Sequence, residues 1–116
     1  MKIALDILGG FIALALTFSA IGKITRNPGA TEAIARVGVK EKQYNQLAIL
    51  EILGSLGLLV GIWSKPIAVA AAVGISLYFI GAQTAHIRVK DAFKDFAPAT
   101  FLFLVSAAVL ILELKR

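Results

Sequence analysis

Cysteine is absent from this 116-residue chain, and histidine occurs once. Without thiols the chain can form no disulfide, no CxxC redox pair and no Cys-ligated metal site. One histidine without HExxH-type spacing also gives no basis for predicting a metal site. Any redox role must therefore use a bound cofactor or a partner protein.

Charged residues are also scarce, at 16% of the chain, whereas 59% is hydrophobic and the mean hydropathy is +0.85. An ordinary soluble domain is roughly 45–50% apolar. The net charge of +5 comes from bases in short connections between apolar runs, a distribution that favours membrane topology and anionic headgroups over nucleic acid. The composition predicts an integral membrane protein in contact with the lipid bilayer.

Continuous apolar runs predict an all-α, four-transmembrane-helix bundle that forms a single domain over residues 1–116. Each run approaches the ~20 residues that a bilayer core requires. The first run is longer than the ~7–15 residues of a signal-peptide core, so we expect a permanent helix there. The four predicted spans are Ile3–Ile24, Leu47–Trp63, Ile67–Ala85 and Phe96–Leu112.

The first connection, "RNPGATEAIARVG", begins with a Pro/Gly break at Arg26 and ends at Gly38. Its alanines and alternating charges predict a short helix from about Thr31 that stops at Gly38 and lies at the membrane interface. The sequence "WSKP" predicts a tight turn, with Trp63 at headgroup level and Pro66 starting the next helix.

An even number of spans places both termini on one side of the membrane. Lys2, Lys65, Lys115 and Arg116 fall on that side, and the first and third connections hold the other basic residues. The positive-inside rule therefore predicts that connections one and three are cytoplasmic, in what we expect to be a prokaryotic cytoplasmic membrane.

Glu51 stands out because it lies inside an apolar run, "QLAILEILGSLGLLVGIW". A bare carboxylate at membrane depth costs on the order of 2.5–3.5 kcal/mol even on lenient insertion scales, so a partner is expected. Small and polar residues share its predicted helix face and indicate a packed side; these are Tyr44, Ala48, Gly54, Ser55 and Gly61.

Helices of alternating direction bring Lys23, Gln83 and His86 to the same membrane face as Glu51. These four residues are the predicted ligand-binding cluster, with Lys23 the first-choice partner of Glu51 and His86 the second. A buried charge pair that only fixes helix register is the simpler interpretation of Lys23 and Glu51, and the ligand site is the alternative. For His86 an ordinary interfacial position is the simpler interpretation.

Acidic residues at the opposite ends of the helices belong to the other headgroup layer. Asp6 and Glu113 are expected there, where basic residues can neutralise them; the candidates are Lys65, Lys115 and Arg116.

The order of three segments resembles the DoxX-like family of small membrane proteins. The segments are "FSAIGK" at the end of span one, "GVKEKQYNQLAILEILGSLGLLVG" around span two, and "GAQTAHIR" before a charged connection and a Pro-containing last span. The resemblance covers nearly the whole chain and implies a four-helix membrane bundle. By position it highlights Gly22, Lys23, Glu51, Gly54 and His86. It also implies association with quinone-linked redox complexes or with membrane-protein assembly.

The sequence leaves these functions open. The first is an accessory, quinone-associated oxidoreductase subunit, whose pocket is walled by glycines and by Tyr78, Phe18 or Phe79, and whose candidate cofactor is a quinone. No electron donor is visible, so the chain is not expected to be a complete enzyme without a partner such as a soluble redox enzyme.

The second function is a chaperone or assembly module that binds membrane-protein clients through small-residue faces, Gly57 to Gly61 or Gly74 to Gly81. A transporter ranks last because the middle of each span is apolar. A homo-oligomer is compatible with each function.

Overall fold

The computed structural model describes the backbone of residues 2–116 and the side chains of that range other than 2, 29, 30, 33 and 93–95. All regular secondary structure in the described range is helical, as predicted. The elements are α1 (Lys2–Ile24), α2 (Pro28–Arg36), a 3-10 helix (Glu41–Gln43), α3 (Tyr44–Val60), α4 (Lys65–Arg88) and α5 (Phe93–Lys115).

The four long helices form a closed ring around one core. α1 packs against α3 and α5, and α4 packs against the same two helices from the other side. Only four residues separate α3 from α4 and α4 from α5, as is typical of helices that pack antiparallel. Large apolar side chains fill the centre; among them are Ile12, Leu16, Leu58, Ile75, Phe79 and Val109.

Within the described residues, three helices are long and apolar enough to cross a membrane: Ile3–Ile24, Lys65–Arg88 and Phe96–Lys115. These correspond to the first, third and fourth predicted spans. α3, which contains most of the predicted second span, has 17 residues. At about 1.5 Å per residue it is about 26 Å long.

The first connection folds much as the sequence predicts. α2 begins at Pro28, three residues before the expected start, because proline is well suited to the first turn of a helix. Gly38 has a φ of +93° and follows the helix as its stop, which confirms the predicted end. The Gly38 amide donates to the Ala35 carbonyl at 3.1 Å, and that of Val39 to Ile34 at 3.0 Å, as in a Schellman motif.

Two basic residues occupy the same left-handed position at the ends of α1 and α4. Arg26 and Lys90 both have φ of +59°, a conformation that glycine adopts at lower cost. After α4, the Asp91 amide donates to the His86 carbonyl at 3.1 Å. This turn brings Asp91 back to the C-terminal end of α4.

The glycines of α3 form a tight seam with α4. A Cβ at Gly61 would lie 2.6 Å from the Ala68 Cβ, and one at Gly57 would lie 2.9 Å from the Ala71 Cβ. A Cβ at Gly54 would lie 2.8 Å from the Ile75 side chain. Only glycine permits this approach of the two helices. The predicted face of small and polar residues on α3 therefore points inward.

The glycines of α4 behave differently. A Cβ at Gly74 or Gly81 would meet no described heavy atom within 4 Å, and both residues are exposed. The buried face of α4 is offset from them around the helix. The residues on that face are Ala68, Ala72, Ile75, Ser76, Phe79 and His86.

Candidate functional site: a buried ion pair beside an apolar groove

Lys23, in the last turn of α1, forms an ion pair with Glu51, two turns into α3. The Lys23 Nζ lies 2.7 Å from Glu51 Oε1, and their side chains are only 6% and 2% exposed. Lys23 also donates a hydrogen bond to Ser19 Oγ, one helical turn earlier, at 2.6 Å. The predicted Lys23–Glu51 pair is therefore confirmed, and the cost of burying Glu51 is offset by a charge on the neighbouring helix.

A second polar contact joins α1 to α3 one turn deeper. The hydroxyls of Thr17 and Ser55 lie 3.0 Å apart, and Ser55 donates to the Ala13 carbonyl at 2.7 Å. Because the carbonyl belongs to α1 and Ser55 to α3, this bond fixes the relative height of the two helices. The Glu51 carboxylate is thus positioned by two successive contacts with α1.

An apolar groove of about 600 Å³ runs along the outer side of the seam between α3 and α4. Its floor is made of small residues, including Gly54, Gly57 and Ala71. Leucines and isoleucines with exposed side chains form its walls, so the groove is open on the outside of the bundle; they include Leu50, Leu53, Ile67 and Leu77.

Glu51 and Tyr78 supply the polar groups of the groove lining. Tyr78 and Glu51 lie close together, so a phenol and a carboxyl group border the same part of the groove. Of the three aromatic residues that the sequence suggested for the pocket wall, Tyr78 lines the groove. The other two are wrong: Phe18 is 75% exposed on the outside of α1, and Phe79 is buried in the core.

Gln83 and His86 bond elsewhere. Gln83 Oε1 accepts a hydrogen bond from Thr100 of α5 at 3.0 Å. His86 stacks on Phe96, with ring centroids 5.6 Å apart, and its Nδ1 lies 2.6 Å from Asp91 Oδ2. The predicted cluster of four residues is therefore divided. Lys23 and Glu51 form one unit, whereas Gln83 and His86 join α4 to α5 and to the connection after α4.

Asp91 links three elements. Arg36, the last residue of α2, donates to both carboxylate oxygens of Asp91, at 3.1 and 3.2 Å, while His86 contacts one of them. Arg36, together with His86, holds the pKa of the Asp91 carboxyl below its usual range. α2 is thereby tied to the end of α4.

At the opposite end of the bundle, Glu113 pairs with Arg116 at 2.9 Å. The Arg116 guanidinium also donates to the carbonyls of Gly61 and Ile62, at 2.9 and 2.7 Å, and so caps α3. The expected neutralisation of Glu113 by a nearby base is confirmed for Arg116. Lys65 donates instead to the Leu114 carbonyl at 3.4 Å.

Sequence reasoning missed two residues of these sites and left the role of Gly74 open. Ser19 lies four residues before Lys23 on one helix, so helical spacing alone places it within reach. Asp91 follows His86 by five residues, and only the left-handed turn at Lys90 brings the two together. Gly74 gave no signal that distinguishes an open groove from a packed face.

The groove has the size and lining of a small-molecule site. Its volume falls in the range of roughly 300–1,000 Å³ typical of small-molecule sites, which are mainly apolar with a few placed polar groups. The Glu51 carboxylate can only accept hydrogen bonds while ionised, whereas the Tyr78 hydroxyl can donate or accept one. Together they can receive a hydroxyl or a carbonyl oxygen.

The fold and the site define a small helical membrane protein in which a buried ion pair borders a ligand-sized groove. The chain belongs to the DoxX-like family, whose family model matches residues 7–109. It is accordingly an integral membrane protein. Searches of curated proteins and of solved structures gave no match.

Proposed function

We propose that this DoxX-like protein is an accessory subunit of a membrane redox system that holds a quinone in the groove beside Glu51. The observation that carries the proposal is the groove itself, since Glu51 and Tyr78 lie together in a lining that is otherwise apolar. The Glu51 carboxylate accepts a hydrogen bond from a quinol hydroxyl, or Tyr78 donates one to a quinone carbonyl. A quinone supplies two-electron redox chemistry when bound.

Electrons must come from a partner in this proposal, because the chain has no cysteine with which to transfer them. Lys23 supplies a positive charge 2.7 Å from Glu51, which offsets part of the cost of placing a carboxylate at this depth. A soluble redox enzyme bound at the basic face supplies the reducing equivalents. The chain alone is then a quinone-binding subunit and not a complete enzyme.

The membrane arrangement that accompanies this proposal has four spans in one domain. α3 is the fourth span, since it packs between α1 and α4 within the same ring. α2 lies at the interface, with Ile34 and Val37 half-buried and Arg36 exposed. The connections that contain Arg36 and Asp91 face the cytoplasm, following the distribution of basic residues.

Binding of decylubiquinone and decylubiquinol to the protein in lipid nanodiscs tests the proposal. Isothermal titration calorimetry should give saturable binding of at least one form. Glu51→Gln should weaken it about tenfold or more, since a hydrogen bond to a charged group contributes roughly 1.5–3 kcal/mol. Tyr78→Phe should weaken it about three- to tenfold through loss of a neutral hydrogen bond.

Glu113→Gln is the matched control, because it neutralises a buried glutamate at the other end of the bundle. The probes partition into the same bilayer in every case, so differences between variants report the site. Equal binding by all four proteins, or no saturable binding by the wild type, would overturn the proposal. Tyr78→Phe keeps the Lys23–Glu51 pair and remains informative if Glu51→Gln does not fold.

A second function, membrane-protein assembly, is favoured by one observation. Gly74 and Gly81 leave an open strip on the outside of α4, where another helix can approach closely. The alternative face proposed from the sequence, Gly57 to Gly61, is already packed against Ala71 and Ala68. An assembly role therefore predicts that Gly81→Leu abolishes co-purification of a client, whereas the quinone role predicts no effect on quinone binding.

A further inference from the structure

We infer that the groove is built for a ring that carries a long apolar tail, with the head at Glu51 and the tail lying along Gly74 towards Ile67. This inference rests on the proposed function and specifies its ligand class: a tailed quinone that enters sideways from the bilayer.

The position of the polar groups sets the direction in which the ligand lies along the groove. Glu51 and Tyr78 line the groove at the end nearest Lys23. From Tyr78 to Ile67 the lining continues for about 16 Å along α4, at about 1.5 Å per residue. This stretch contains Gly74, Ala71 and Ala70 and contributes only apolar side chains from its described residues.

The width of the groove separates a lipid tail from a protein helix. A volume of about 600 Å³ over a length of about 16 Å gives a mean cross-section of about 40 Å², which suits an extended chain. An α-helix with its side chains is about 10–12 Å across. The groove therefore admits a flat ring and an extended hydrocarbon chain, whereas a partner helix would rest on its rim.

The open side of the groove sets the route of entry. The rim residues Leu50, Leu53 and Leu77 are each more than half exposed, at 55%, 59% and 62%. Side chains of this kind on the outside of a membrane bundle face lipid tails. A tailed ligand dissolved in the bilayer thus reaches Glu51 without crossing the water layer.

Gly74 is the residue that keeps the tail path open. Because a Cβ there meets no described heavy atom within 4 Å, Gly74→Leu adds a side chain to the groove without disturbing the helix seam. Gly81 is equally open on the same helix but is absent from the groove lining. Gly81→Leu is therefore the matched control.

A decylubiquinone analogue with a diazirine at the end of its tail tests the inference in lipid nanodiscs. After illumination, peptide mass spectrometry should find the label on Ile67, Ala70 and Ala71, and excess tailless 2,3-dimethoxy-5-methylbenzoquinone should compete with it. Gly74→Leu should reduce this labelling about tenfold, because the added side chain occupies the tail path. Gly81→Leu should leave it unchanged, and both variants should bind the tailless quinone as the wild type does.

Three results would overturn the inference in distinguishable ways. Binding that depends on Glu51, with the label spread over outward side chains such as Ile7 and Ile111, would reject the tail path and leave the quinone site standing. Labelling that neither the tailless quinone nor Glu51→Gln reduces would reject the quinone site as well. Labelling that appears only after a co-purified membrane protein is removed would place a helix on the groove and also reject the inference.

Discussion

The bundle buries a glutamate–base pair at each end, and the two pairs differ in what surrounds them. Lys23 and Glu51 come from different helices, and the carboxylate borders a groove of about 600 Å³. Glu113 and Arg116 come from the same helix end, and the guanidinium also binds two carbonyls at the end of α3. One pair borders a ligand-sized space, whereas the other caps a helix.

Burial of a charged pair therefore does not by itself identify a binding site. Both glutamates are buried, at 3% and 6% exposure. The Arg116 guanidinium is engaged by protein carbonyls, so that pair is explained by structure alone. Glu51, by contrast, borders an open groove together with Tyr78, and the proposed quinone would occupy that groove.

The largest effect should come from breaking the pair at Glu51. Lys23→Met leaves a buried carboxylate without its counter-charge and should lower the free energy of unfolding by about 3–5 kcal/mol. The double variant Lys23→Met/Glu51→Leu should recover most of that loss, because it removes the stranded charge. Unfolding by SDS titration in mixed micelles measures both. A double variant as unstable as the single one would show that the pair is not the reason for the loss.

The next effect should come from the helix seam. Gly61→Ala places a methyl group 2.7 Å from the Ala68 Cα, which is backbone and cannot rotate away. The cost should be about 1–3 kcal/mol, as for overpacking in a core. Gly74→Ala, in the open groove, should be neutral or stabilising by up to about 1 kcal/mol through helix propensity. The same SDS titration compares them, and equal losses would refute the distinction between packed and open glycines.

A smaller effect on the free energy of unfolding is expected at the end of the bundle where Arg116 caps α3. Arg116→Ala removes two hydrogen bonds to carbonyls and the partner of Glu113, which remains close to the surface. We expect a loss of about 1–3 kcal/mol and no change in quinone binding, whereas Glu51→Gln should change both. Weakened quinone binding in Arg116→Ala would erase the contrast between the two ends.

The smallest effect concerns pH. Asp91 has an ordinary pKa of 3.8, and its contacts with Arg36 and His86 lower the pKa in the folded state. Its contribution to stability is therefore complete above about pH 4 and is lost as the pH falls through the lower, folded-state pKa. The difference in melting temperature between the wild type and Asp91→Asn should shrink below pH 4. A difference that stays constant down to the folded-state pKa would contradict the Arg36–Asp91 contact.

Much of the fold could be predicted from the sequence, because apolar runs and Pro/Gly breaks report helices and turns directly. The Lys23–Glu51 pair could also be predicted, since a carboxylate in an apolar run requires a partner and antiparallel helices bring few candidates to its depth. The start of α2 at Pro28 and the left-handed turns at Arg26 and Lys90 were not predicted from the sequence.

The position of the groove, on the outer side of the seam between α3 and α4, could not be predicted, and the reason is physical. In a membrane bundle, both the inside and the outside of a helix are apolar, so periodicity does not identify the buried face. Gly54 and Gly74 look alike in the sequence, yet the first touches Ile75 and the second faces open space. Likewise, His86 and Gln83 share a membrane depth with Glu51 but bond to Asp91 and Thr100.

The most direct measurement is native mass spectrometry of the protein purified gently with its lipids, comparing the wild type with Glu51→Gln. The proposed quinone site requires a bound quinone-sized mass in the wild type that is lost in the variant. If both proteins carry only phospholipid and the variant is merely less stable to heat, Glu51 serves the structure alone. That result would contradict the assignment of the groove as a quinone site.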